Sequence, residues 1–179
     1  MERSNAGAGH SANVAKRYAL TVPQPFADAI AAGDVWIEGR NWSRRFEGPL
    51  AIHAARTRQW FGPQDETRHV VFGAIVAVVD VVAIVHNDVL VKRARDQRFA
   101  EWPICAGTSR TWREAARHVD TLRDSGNKWF WIFARPRRVD PFVAVRGCEG
   151  LWDVPPDVVE LVRASLARNA KHGIENLDR

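Results

Sequence analysis

Positions 73 to 85 read Gly-Ala-Ile-Val-Ala-Val-Val-Asp-Val-Val-Ala-Ile-Val, a run of β-branched residues broken once by Asp80. Branching at Cβ restricts the side chain in a helix and suits a pleated sheet, so the run predicts a strand. Extended back to Val70, the apolar stretch covers 16 positions. A membrane span needs roughly 20 apolar residues, so this is a buried strand of a folded domain. It is also long for one straight strand, which predicts a bulge or the curvature of a barrel, with Asp80 marking a bulge or an edge.

The rest of the composition agrees with one soluble domain. The 179 residues are 46% hydrophobic and 26% charged, a balance that excludes wholesale disorder and leaves room for one core. Cys105 and Cys148 lie far apart without thiol or imidazole neighbours at metal-ligand spacing, so neither a metal nor a cofactor is expected, and the compartment is expected to be reducing. The first residues lack the apolar stretch of a signal peptide; the expectation is a cytoplasmic protein with no membrane partner. The formal charge is +5, and 22 of the 26 basic residues are Arg. Arginine forks suit phosphate, but a GC-rich genome gives the same bias, so the charge permits a polyanion partner without demanding one.

Residues 1–17 are small, polar and aperiodic, and read as a disordered leader. Pro25 opens a short helix carrying Phe26, Ala29 and Ile30 on one face, closed by Gly33. Val35 to Trp42 alternates as a half-buried strand, with Trp36, Glu38, Arg40 and Trp42 on one side. Leu50 to Ala54 is the next strand. A polar, basic excursion over 86–127 reads as an insertion, with Thr111 and Glu114 forming the capping box of a helix that ends near Gly126. Trp129 to Val139 is a strand stopped by Pro141. After Pro155 and Pro156, apolar residues at helical spacing run to about Ala170. The fold class is therefore α+β with a curved, barrel-like sheet: a domain over 18–154, then a C-terminal helix and tail over 155–179.

Several short segments in order carry a resemblance. Gln24-Pro25-Phe26-Ala27, Gly33, Glu38-x-Arg40, Gly48-Pro49 leading into Ile52-His53-Ala54, Gly73-Ala74-Ile75-Val76, Trp129 to Ala134, and Gly147-Cys148-Glu149-Gly150-Leu151-Trp152 together resemble the ASCH domain of the PUA-like superfamily. The resemblance implies a PUA-like curved β-barrel with a short rim helix and a cleft facing it. Relatives in the superfamily bind RNA or DNA, often by taking a base into a pocket, and some ASCH members are nucleoside amidohydrolases or ribonucleases. The amidohydrolase members pair a Lys with a Thr where this chain has Val35 and Glu38, so that activity does not carry over.

Residue chemistry and resemblance point to the same place. Trp36 and Trp42 offer planes for stacking a base; Glu38 and Arg40 offer an acceptor and a donor fork for its edge. The alternative is an ordinary Glu38–Arg40 ion pair with both tryptophans packed under the helix. His53 is expected at the cleft or as a hydrogen-bonded structural residue, and Gln24 as a ligand contact or a helix cap. Arg44, Arg45, Arg56 and Arg58 flank these strands and are candidates for phosphate contacts. The function read from the sequence is a module that binds nucleic acid, RNA first, or a modified nucleobase. The partner is then RNA, DNA or a nucleoside-like small molecule. A hydrolase of a modified nucleoside or RNA, with Glu38 as its base, and a protein-interaction module stand as alternatives.

Overall fold

The computed structural model describes residues 17–60, 70–104, 108–120 and 127–175. The leader, apart from Arg17, lies outside them, as do Cys105 and the expected helix end at Gly126. Ten elements follow one another: β1 (Tyr18–Val22), α1 (Phe26–Ala32), β2 (Ile37–Arg40), β3 (Gly48–Ala54), β4 (Ala74–His86), α2 (Asn87–Arg95), α3 (Trp112–Asp120), β5 (Trp129–Ala144), β6 (Leu151–Asp153) and α4 (Pro156–Glu175). The strands form one sheet in the order β2-β5-β4-β3-β1-β6, parallel between β1 and β3 and antiparallel elsewhere.

The sheet curls. In a flat sheet β2 and β1, four steps apart, would be separated by roughly 19 Å. Instead Arg40 of β2 donates from its guanidinium to the Thr21 carbonyl of β1 at 2.9 Å. The half-barrel this makes is the α+β fold the sequence predicts. Its curvature is built largely into β4, which pairs with β3 on one side and β5 on the other, with register breaks at Ile75/Ala77, Val78/Asp80 and Val81/Ala83 against β5.

The expectation that Pro141 ends its strand needs correction, because β5 runs on to Ala144. On β5, four positions separate the paired Arg138 and Val143 from one another where β4 spends only one between Ala77 and Ile75, so Pro141 sits in a bulge. No ladder N–H is required of it there. Asp80 lies at a similar break and holds Arg135 at 2.7 Å and Arg137 at 3.1 Å, which accounts for a lone carboxylate in an apolar strand.

Three clusters of side chains hold the helices. Ala27, Ile30 and Ala31 of α1 pack inside the curl on Leu20, Ile52, Val76 and Trp131. Val158, Val159 and Val162 of α4 cover the outer face at Ala19, Ile75, Val143 and Trp152. The third cluster joins Leu90 of α2 and Ala115 and Val119 of α3 to Ile37, Val85, Phe130 and Ile132. The Thr111 hydroxyl accepts from Glu114 N at 3.2 Å and the Glu114 carboxylate accepts from Thr111 N at 2.8 Å, the expected capping box. The excursion holds a second helix that the sequence reading did not separate: α2, capped by His86 Nδ1, which accepts from Asp88 N at 3.3 Å.

Candidate nucleic-acid interface

Parallel pairing sets Thr21 of β1 beside His53 of β3, and both strands end at one rim. There Thr21, His53, Ala55, Arg56, Thr57 and the 146–149 loop wall an open cleft of about 530 Å³. The loop is fixed over the strands by a short relay: Trp152 Nε1 donates to the Thr21 hydroxyl at 3.1 Å, and that hydroxyl donates to the Cys148 carbonyl at 2.8 Å. Its closeness depends on a glycine, since a Cβ on Gly147 would lie 2.3 Å from His53 Cε1.

His53 is 2% exposed and faces Trp152 edge-on at 5.7 Å. Its Nε2 lies 3.1 Å from the Val145 carbonyl, which can only accept, so Nε2 carries the proton. That leaves Nδ1 as a buried acceptor with no hydrogen-bond partner. Burial holds the imidazole pKa below its ordinary value against the pull of the Val145 carbonyl, and the Arg56 charge adds to the lowering. The ring at the cleft floor is therefore neutral. Arg56 and Arg146 at its walls are exposed and make no ion pair among the described residues.

The remaining sequence candidates are distributed differently from a single strand face. Glu38 and Arg40 form the ion pair that stood as the alternative, at 2.6 Å with side chains 14% and 18% exposed. Burial raises the Glu38 pKa, opposed by the charge and hydrogen bond of Arg40. Neither residue walls the cleft, and both reach it only through the Thr21 backbone. Trp36 packs with Ile37 and Phe130 on the side of α3, beneath the Arg110 guanidinium at 5.0 Å and beside His118 at 5.8 Å. Trp42 meets Trp131 edge-on at 5.2 Å on the inner side. The two indoles therefore share no surface: Trp42 stays on the Trp131 side with Glu38, whereas Trp36, just before β2, joins Ile37 on the opposite side. Gln24 is fully buried; its amide donates to the Val71 carbonyl at 2.7 Å and accepts from Asp28 N at 3.1 Å, which is a helix-capping role.

The four arginines read as one flanking group lie at opposite ends of β3. Arg44 and Arg45 precede it, while Arg56 and Arg58 follow it at the rim with the cleft. Sequence reasoning missed the aromatic pair at that rim. Phe26, opening α1, and Trp60 are 40% and 57% exposed, with ring centroids 6.5 Å apart. Arg58 stacks over Phe72 at 4.8 Å. The alternation Arg56-x-Arg58-x-Trp60 was the available signal, hidden in a segment read only for its charge.

The fold has likenesses among solved structures. A crystal structure of ASCH from Zymomonas mobilis is 13% identical, with a TM-score of 0.45 over 83% of this chain and 94% of that one. It resembles ASCH domains. Two single-residue variants of that same Zymomonas mobilis protein give 13% and 17% identity and TM-scores of 0.48 and 0.44, again over 83% of this chain, and over 95% and 97% of theirs. At such identity the likeness concerns fold alone. Neither a protein-family model nor a curated protein matches the sequence. Among the described residues no cluster of three or more His, Cys, Asp or Glu is placed to hold a metal ion, and no helix is long and apolar enough to cross a membrane.

Proposed function

We propose that the protein binds single-stranded nucleic acid, RNA first, across the rim where β1 and β3 end. The observation that carries this reading is the exposed Phe26–Trp60 pair, with Trp60 three residues beyond Thr57 of a cleft whose walls carry Arg56 and Arg146, neither in an ion pair among the described residues. Exposed aromatic rings cost solvation unless a partner covers them, and bases stack on such rings whatever their identity. Exposed guanidinium groups at the cleft suit the phosphates between stacked bases. The neutral His53 adds an acceptor at the floor, matched to a donor hydroxyl or amino group once the 146–149 loop yields. The sequence resemblance points to the same class of ligand.

In this reading Glu38 and Arg40 brace the curl and position Thr21, and Glu38 is not offered a substrate proton. The test is fluorescence anisotropy with labelled single-stranded RNA and DNA of mixed sequence. Trp60→Ala should weaken binding by about 1–3 kcal/mol, the worth of one stacked base, and leave the melting temperature unchanged. Equal affinity of the wild type and the Trp60→Ala and Phe26→Ala variants, or no binding at low salt, would refute it.

A further inference from the structure

The excursion between β4 and β5 is not used by the rim site, yet it presents the same chemistry again. Trp102 is 61% exposed and sits edge-on to Phe99 at 5.6 Å. The Arg93 guanidinium lies 4.4 Å above the Phe99 ring, with Arg98 5.5 Å from it. Exposed Lys92 and Arg95 complete the last turn of α2. The carboxylates nearby are taken: Asp96 holds Arg98 through two oxygens, and Glu101 pairs with Arg113. Lys92 and Arg95 make no ion pair among the described residues, and Arg93 acts on Asp96 only through its charge, without an ion-pair contact. Basic residues at a helix C-terminus also suit the helix dipole, but the dipole gives no reason for an exposed indole beside them.

Trp102 is held in place although its ring is bare. Its backbone N–H donates to the Phe99 carbonyl at 2.8 Å, its backbone carbonyl accepts from Trp112 N at 3.3 Å, and Ala100 O accepts from Arg113 N at 3.0 Å. Pro103 bridges to Thr111 beside it. The backbone on both sides is thus tied to the start of α3, which rests on the sheet through Ala115 and Val119. An aromatic plane on a tethered backbone, beside Lys92 and Arg95 with no ion pair among the described residues, is a stacking surface with little ordering left to do on binding.

We propose that Trp102, Phe99, Lys92, Arg93 and Arg95 form a second contact for the strand bound at the rim, so that the excursion extends the footprint along one single-stranded nucleic acid. This rests on the proposed function for the ligand class, and on separate residues for the site. Two contacts on one strand act as linked sites: a strand too short to reach both gains nothing from the second.

The experiment compares a strand of about 5 nucleotides with one of about 24, bracketing the roughly 4 to 16 that one small fold covers. Trp102→Ala should weaken the long strand by about tenfold, leave the short one unchanged, and leave the melting temperature unchanged; Trp102→Phe, which keeps an aromatic plane, should restore most of the affinity. Lys92→Ala with Arg95→Ala should lower the salt slope for the long strand by about 1.4. Long-strand affinity unchanged in these variants overturns the proposal, as does sedimentation showing that Trp102→Ala dissociates a dimer, which makes the platform a self-contact. The two readings separate cleanly. A long strand that depends on Trp102 but not on Trp60 or Phe26 refutes the rim site alone, and the reverse refutes the second contact alone.

Discussion

Replacing Gly147 by alanine tests how the cleft is built. The new methyl would fall 2.3 Å from His53 Cε1, 2.4 Å from Nδ1 and 2.9 Å from the Thr21 hydroxyl. Favourable contact needs about 3.5–4.0 Å, so the loop and the strands must part by more than 1 Å or so. Neither neighbour is free to yield. His53 is buried between Val145 and Trp152, and Thr21 is tied to Cys148 and Trp152. Overpacking costs about 1–3 kcal/mol, and loosening the Thr21 and His53 hydrogen bonds adds about 0.5–1.5 kcal/mol each. A loss near 3 kcal/mol is expected, which for a domain of this size lowers the melting temperature by about 6–12 °C. Urea and thermal unfolding give the stability, and the imidazole resonances of His53 followed against pH give the local effect. With the cover displaced, the His53 pKa should rise toward its ordinary value. Gly150→Ala is the control: φ is +69° but nothing lies within 4 Å of its Cβ, so it carries only the left-handed backbone cost of about 1–2 kcal/mol and leaves His53 as it was. A Gly147→Ala protein within about 0.5 kcal/mol of wild type, with an unaltered His53 titration, would refute the packing argument.

Removing Arg40 should be costly, because Arg40→Met leaves the Glu38 carboxylate buried without its partner, at about 3–5 kcal/mol; Glu38→Gln added to it should recover at least half, a recovery that a denaturant double-mutant cycle measures and whose absence contradicts the pairing. The depressed His53 pKa means that the unfolded chain binds the extra proton first. That contribution to stability is whole above the unfolded pKa near 6.5 and is lost as pH falls through it toward the lower folded value. Melting temperature against pH should therefore slope less over that window in His53→Gln, and an identical slope would show that another group carries it.

How much was legible in the sequence can be seen element by element. The β-branched run became β4 because such residues pack on both sides of a buried strand, and Gly33 ended α1 at φ +85° as a glycine there should. The capping box at Thr111 was local chemistry and held. The extension of β5 past Pro141 was not legible, since only the count of residues on the partner strand reveals a bulge. Nor was α2, whose cap is a histidine side chain outside the usual Ser, Thr, Asp and Asn signals. At the site, alternation placed Glu38 and Arg40 together correctly. It also kept Trp42 on their side, against Trp131, and failed for Trp36, which precedes β2 and packs with its neighbour Ile37 on the other side. Phe26 and Trp60 are 34 positions apart and meet only because β1 and β3 run parallel and end at the same rim.

The central claim is that Arg56 and Arg146 meet phosphates at this rim. The direct measurement is the affinity for single-stranded RNA against salt concentration, for the wild type and for Arg56→Ala with Arg146→Ala. Each phosphate contact contributes about 0.7 to the slope of log affinity against log salt on a single strand. The account predicts a slope lower by about 1.4 in the double variant, with the melting temperature little changed because both side chains are exposed and make no ion pair among the described residues. A wild-type slope retained in the double variant would contradict it.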